Sequence, residues 1–342
     1  MTLLMSRCGC LLLACVAAAC CPAPASAAPD ETLDRPVVIT VAGTAGGGID
    51  LYARLLARHL ARHIPGHPGV TVQVMPGAGG IRAASYLAKM APRDGTAVAT
   101  FAGGPLLEPL IGARNPGYDM SQFTWVGAMA KDVGLCLSWG PSPFKTIDDV
   151  RKRQMIVAGT GAGSETDTWP GILNDLLGTR IKLVTGYLGS RESLLAIERG
   201  EADGRCTISL SALKTVRPDW LSERKLNLLL QIGLEKAREL PDVPLIFDLV
   251  TREEDRQMIA FLVTPAAISR HFAAPPGVPP GRAALLRRAF DATMQDAEFL
   301  ADAKRMQADI EPTRGEDVQD IVAGIYATPR AVIERVKTFL AP

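Results

Sequence analysis

The chain has 342 residues, 37 basic and 36 acidic side chains, a formal net charge of +1 and 5% aromatic residues. That balance argues against a nucleic-acid partner, and 47% hydrophobic content with no low-complexity block is that of a globular protein. Five of the seven cysteines (Cys8, Cys10, Cys15, Cys20, Cys21) precede residue 28, which excludes a disulfide-built scaffold and a four-cysteine zinc site in the remainder.

The first residues set an expected compartment. Arg7 is followed by an apolar stretch from Cys8 to Cys21, and Ala25-Ser26-Ala27 supplies a small-x-small cleavage site. Residues 1–27 therefore read as a secretory signal peptide, and the protein as periplasmic. Leu12-Leu13-Ala14-Cys15 offers a lipoprotein box as the second-ranked alternative. Without the leader, 315 residues remain with 36 basic and 36 acidic groups, enough for two domains. Cys136 and Cys206 can pair or stay as free thiols; spacing does not decide.

Apolar β-branched runs alternate with helix-period segments along most of the chain. Val37–Val41 reads as a strand, and Ile49, Ala53, Leu56, Leu60 and Ile64 form one face of a helix. Strand Val70–Val74, the loop PGAGG at 76–80, a helix over Ile81–Met90, a turn at Pro92–Gly95 and strand Thr96–Phe101 complete a βαβαβ pattern. The middle repeats the style. Strands are expected at Phe123–Met129, Val133–Leu137, Met155–Ala158, Lys182–Val184, Asp203–Ser209 and Leu226–Ile232, with helices between. After Pro275–Pro280 come helices at Arg282–Gln295 and Ala297–Met306, and one from Glu316 to the end. The expected class is α/β, with open, mixed, mostly parallel sheets.

The glycine-rich segments carry the functional reading. GTAGGG at 43–48 and GTGAGS at 159–164 lack the G-x-G-x-x-G spacing of a dinucleotide site, and no phosphate loop of the G-x-x-x-x-G-K type occurs. No cofactor is expected. Three glycine loops, each between a strand and a helix, fit one shared anion site at strand C-terminal ends. Asp50 reads as a cap of the first helix that also steadies the loop. His59 and His63, four apart, lack the glutamate of a metalloprotease motif and read as a solvated face. His271 has no evident partner. With no G-x-S-x-G elbow, no catalytic set can be named.

In order, the loop GTAGGGID, then V-x-V-M-P-G-A-G-G-I, A-x-x-A-P-R-D-G-T, L-P-D-V-P at 240–244 and F-A-A-P-P-G-V-P at 272–279 resemble the substrate-binding receptors of tripartite tricarboxylate transporters, the Bug receptors. The resemblance runs from about Arg35 onward. It implies a two-lobed "Venus flytrap" of the type II periplasmic binding class, monomeric, that takes a small organic carboxylate to membrane permease subunits. It also implies which loops hold the ligand. One carboxylate would lie on backbone amides of Gly46, Gly47 and Gly48 and of Gly77, Ala78, Gly79 and Gly80. The opposite lobe would contribute Gly161, Gly163 and Ser164, the turn with Tyr187, Gly189 and Ser190, and the strand carrying Arg205 and Thr207. Departures are Thr44-Ala45 where the family has proline, Val74-Met75 and Ile81 around PGAGG, and Thr207 where an acid is common.

Breaks in the pattern near Lys131-Asp132 and Thr264-Pro265 place lobe 1 at residues 36–131 plus 264–342, and lobe 2 at 132–263. Alternation sets Asp203, Arg205 and Thr207 on one strand face, where Arg205 either meets a second ligand carboxylate or pairs with Asp203 or Glu201. Two rival readings are a ligand-loaded subunit reporting to a membrane kinase, and an exported α/β hydrolase or lyase.

Overall fold

The computed structural model describes residues 32–112, 115–161 and 164–340, so the leader read at residues 1–27 lies outside the described residues. The chain opens with β1 (Val37–Val41), α1 (Gly48–Leu60), β2 (Val70–Val74), α2 (Ile81–Lys89), β3 (Ala97–Thr100), α3 (Gly104–Ile111) and β4 (Thr124–Ala130). It continues through β5 (Gly134–Trp139), α4 (Ile147–Lys152), β6 (Met155–Ala158), α5 (Glu165–Leu177), β7 (Ile181–Val184), α6 (Ser190–Glu198) and β8 (Gly204–Ser209). Next come α7 (Leu210–Val216), α8 (Pro218–Ser222), β9 (Leu226–Ile232), α9 (Ile246–Leu249) and α10 (Glu253–Val263). The last third holds β10 (Ser269–Ala274), α11 (Pro280–Met294), α12 (Ala297–Arg305), β11 (Thr313–Arg314), α13 (Gly315–Tyr326) and α14 (Arg330–Leu340).

Two open sheets result, ordered β11-β4-β10-β3-β1-β2 and β7-β6-β8-β5-β9. Each is mixed. Pairing is parallel where helices connect the strands (β2-β1-β3 and β7-β6-β8) and antiparallel elsewhere. The β-branched run of β1 lies between β2 and β3, with Val37 opposite Val70 and Val38 opposite Ala97, and is buried apart from Val38. Tyr52, Leu55, Leu56 and Leu60 turn the apolar stripe of α1 inward. Each such side chain contributes roughly 1.5–3 kcal/mol by leaving water.

The chain crosses between the sheets twice, between β4 and β5 and between β9 and β10, and the two connections are bonded to each other: Asp132 N–H donates to the Ala266 carbonyl at 3.0 Å. The sequence pattern reads one helix after Glu316. Two form, because Pro329 lacks the N–H to continue a helix and disfavours helical geometry at Thr328. The second, α14, packs on α3, α5 and α10 and so fastens both sheets together.

Candidate ligand-binding site

The loops after β1 and β2 in one sheet, and after β6 and β7 in the other, face each other across a cleft of about 290 Å³. Four helices begin there: α1, α2, α5 and α6. None has its first turn satisfied by the side chain at its N-cap (Gly47, Gly80, Ser164 and Gly189). The unsatisfied N–H groups of a helix start carry a partial positive charge. Four such ends on one cleft make an anion-attracting cavity without any metal.

Of the residues expected from the sequence, Gly47, Gly48, Gly77, Ala78, Gly79, Gly80, Ser164, Tyr187, Gly189, Ser190, Arg205 and Thr207 line this cleft. Gly46 lines a neighbouring hollow with Arg191, and its N–H goes to Asp50 Oδ2 at 2.8 Å. Gly161 is outside the wall, its N–H taken by Asp167 Oδ1 at 3.0 Å, and Gly163 lies outside the described residues. The Gly47 and Gly80 amides are also turned inward, onto the Thr44 and Gly77 carbonyls. The donors left for a ligand are therefore those of the first helical turns.

The wall is conformationally demanding. Gly77 has φ +131° and Gly80 +103°, values that suit glycine. Ala78 (+46°) and Thr207 (+60°) in the wall, and Arg270 (+57°) behind it, adopt the left-handed region despite their Cβ atoms. Such backbone strain concentrates at ligand sites. Thr207 sits where β8 shifts register against β5, beside a disulfide between Cys136 and Cys206 that settles the open question of those thiols.

A second, inner chamber of about 130 Å³ adjoins the cleft and shares Gly48, Glu165, Ser190, Arg205 and Thr207 with it. Its other walls include residues that sequence reading did not select: Asp132, Arg270 and His271. Asp132 accepts from Ser211 and from Arg270 Nη2 (3.4 Å), while Arg270 also donates to Ser209 and Ser211. This network joins the first crossing and β10 to α7. Glu165 keeps part of its surface open to the cleft although protein surrounds its carboxyl. Burial and the Asp132 charge push it up to about 7, against Arg270, Arg205 and the Gly103 N–H. Glu165 carried one weak sequence signal, an acid opening a helix after the glycines.

Three of the histidines are engaged with groups of the protein itself. His59 is buried and bonds Asp302 at 2.7 Å, and His63 bonds Asp296 at 2.8 Å, so this pair docks on α12 and is not the solvated face expected. His271 is buried among Phe101 and Trp125, with Nδ1 on the Ile268 carbonyl, and burial pulls it down to about 4. Among the described residues no histidine hydrogen-bonds a serine, threonine or cysteine side chain. Wider grooves of about 520 and 990 Å³ elsewhere are not lined by the glycine loops.

No family model matches the chain. It is 28% identical over 229 residues to the UPF0065 protein in the TAR-I ttuE-ttuC' intergenic region of Agrobacterium vitis, spanning 64% of this chain and 62% of that protein, less than two thirds of its length. It is also 28% identical over 240 residues to the UPF0065 protein in the gbd 5' region of Cupriavidus necator (66% and 68%). UPF0065 proteins are the Bug family. Among solved structures, the periplasmic binding protein BugD superposes with TM-score 0.71 at 20% identity, over 89% of this chain and 98% of that one. The chain has the Bug-receptor fold. Rpa4515 of R. palustris with adipate (TM-score 0.69, 22% identity, 89% and 97% covered) shares it. So does MatC of Rhodopseudomonas palustris with bound malate (0.69, 20%, 90% and 99%). In Bug terms the two sheets are two lobes, and the cleft lies between them.

Proposed function

We propose that this chain is an exported, periplasmic solute-binding receptor that captures a small carboxylate and delivers it to the membrane subunits of a tripartite tricarboxylate-type transporter. The observation that carries this reading is the convergence of four helix starts from both lobes on one cleft. Each charge-assisted hydrogen bond from such an amide to a carboxylate contributes roughly 1.5–3 kcal/mol. In this reading the ligand is bound and released unchanged.

The lobes are residues 36–131 plus 264–342, and 132–263. Sheet membership supports these bounds, since β1–β4, β10 and β11 build one sheet and β5–β9 the other. Closure brings Thr44 Oγ1 to Glu192 Oε2 at 3.4 Å and Lys214 Nζ to Asp309 Oδ2 at 2.8 Å, contacts that an opening hinge breaks. The Thr44–Glu192 bond is long, and the Lys214–Asp309 pair is open to water at Asp309, where an ion pair contributes little. The relatives that hold adipate and malate are consistent with a ligand of this class.

Native mass spectrometry of the purified protein, followed by calorimetry with a panel of small carboxylates, tests the reading. Stoichiometric binding without turnover supports it. Conversion of a bound carboxylate, or no binding across the panel, overturns it.

A further inference from the structure

Arg205 stands on β8 with 5% of its surface exposed, on the wall common to the cleft and the inner chamber. Its Nη1 donates to Ser193 Oγ, while Nε is buried with no hydrogen-bond partner. Asp203, one of the partners open to it from sequence, accepts instead from the Ile156 amide. Among the described residues no carboxylate comes within ion-pair distance of Arg205. A buried guanidinium without an opposed anion is unfavourable unless something else supplies the charge.

Two carboxylates act on it from further off, Glu165 and Asp167. Asp167 is already held by the Gly161 amide and by the Ser164 and Thr185 hydroxyls. Glu165 faces the Gly103 N–H from across the cleft, so close that a Cβ on Gly103 would collide with its carboxyl. The inner chamber is bounded by both Arg205 and Glu165.

We propose that this chamber is a second anion subsite, where Arg205 holds the far carboxylate of a short dicarboxylate and Glu165, protonated from solvent, donates to that carboxylate's other oxygen. It rests on the outer cleft being the seat of the first carboxylate. A guanidinium presents paired N–H donors that match a carboxylate edge. Two acids side by side cannot both stay ionised, so a ligand carboxylate here requires a proton on Glu165. The carbonyl oxygen of protonated Glu165 still accepts the Gly103 N–H, and its O–H is left for the ligand.

The charges facing Glu165 come from several elements. Arg205 on β8 and Arg270 on β10 favour its ionised form, and Asp132 in the first crossing opposes it. His271 on β10 is neutral above about pH 4, and Asp50 at the start of α1 is bonded to Arg54. With burial these leave Glu165 near 7, where protonation is easily reached. Dicarboxylate affinity is therefore greatest below pH 7 and declines as pH rises above it, by up to about tenfold per unit, with uptake of a proton. Monocarboxylate affinity stays flat across that range.

The test is calorimetry with succinate and adipate, each against the monocarboxylate of equal chain length, butyrate and hexanoate. It is run at pH 6 and pH 8, in buffers of unlike ionisation enthalpy. The expected wild-type result is at least about tenfold tighter dicarboxylate binding at pH 6, shrinking at pH 8, with proton uptake. Arg205→Gln should erase the advantage, weakening dicarboxylates about tenfold more than monocarboxylates. Glu165→Gln should keep the advantage and remove its pH dependence. Equal wild-type binding of mono- and dicarboxylates, or equal weakening of both by Arg205→Gln, overturns the proposal while the receptor reading stands. Failure of every carboxylate to bind overturns both. Should Arg205→Gln not fold, the wild-type ratio and the Glu165→Gln pH profile decide.

Discussion

The Asp50 carboxylate accepts the Gly46 amide at 2.8 Å and Arg54 Nε at the same distance, and so ties the first glycine loop to the first turn of α1. Asp50 is not the N-cap, which is Gly47; it stands three residues further on and reaches back. That posture keeps its negative charge occupied, so an acid is tolerated at the rim of an anion site. Asp50→Ala leaves the Gly46 amide and a guanidinium without their partner. The expected cost is about 1–3 kcal/mol in urea denaturation, with carboxylate affinity lowered about tenfold. Lost stability with unchanged affinity would show that the loop is positioned by something else.

Gly77 and Gly178 make a matched pair for testing the second loop. Gly77, at φ +131°, lines the cleft; Gly178, at φ +66°, ends α5 with open space around it. Alanine at either strains the backbone, by about 1–3 kcal/mol at Gly77 and about 1 kcal/mol at Gly178. Only Gly77→Ala should abolish ligand binding, as read by calorimetry on folded protein.

The disulfide joins β5 to β8 across 70 residues of chain and lies between Arg205 and Thr207. In the chain-entropy account a loop of that size contributes about 4 kcal/mol. Reduction, or Cys136→Ser with Cys206→Ser, should lower the urea midpoint accordingly. Reductant should then have no further effect on the double variant. A wild-type midpoint unmoved by reductant would contradict a bonded pair.

His271 predicts an acid limb in stability. Burial holds its imidazole at about 4, below the usual 6.5, so the unfolded chain binds the extra proton first. Its contribution is complete above pH 6.5 and is lost as pH falls from 6.5 to 4, by roughly 3 kcal/mol in all. Replacing it by glutamine should flatten the pH dependence of stability in that window, whatever the change in absolute stability. An unchanged slope between pH 6.5 and 4 would assign the acid limb to other groups.

Much of the cleft was legible because its signals are local. PGAGG and GTAGGG announce themselves as backbone turned for close approach, and both loops lie on the cleft wall. The misreadings share a cause. His59 and His63 look solvated from α1 alone, yet Asp302 and Asp296, more than 200 positions later, receive them on α12. Gly46 and Gly161 look like ligand donors until Asp50 and Asp167 take their amides. Neither Asp132 nor Arg270 stands in a motif; they become one network because the first crossing runs beside the start of β10.

Strand–loop–helix order, the glycine turns and the Bug-like motif series can all be read from residues in order along the chain, since side-chain periodicity and φ preference act within a few residues. It takes the folded chain to bring Cys136 to Cys206, to lay α14 across both sheets, and to bury Arg205 without an opposed carboxylate. The fold also brings Glu165 to the Gly103 amide across the cleft. Charge compensation depends on which groups are near in space and how much water is excluded between them, and neither is written in the spacing of residues along a chain.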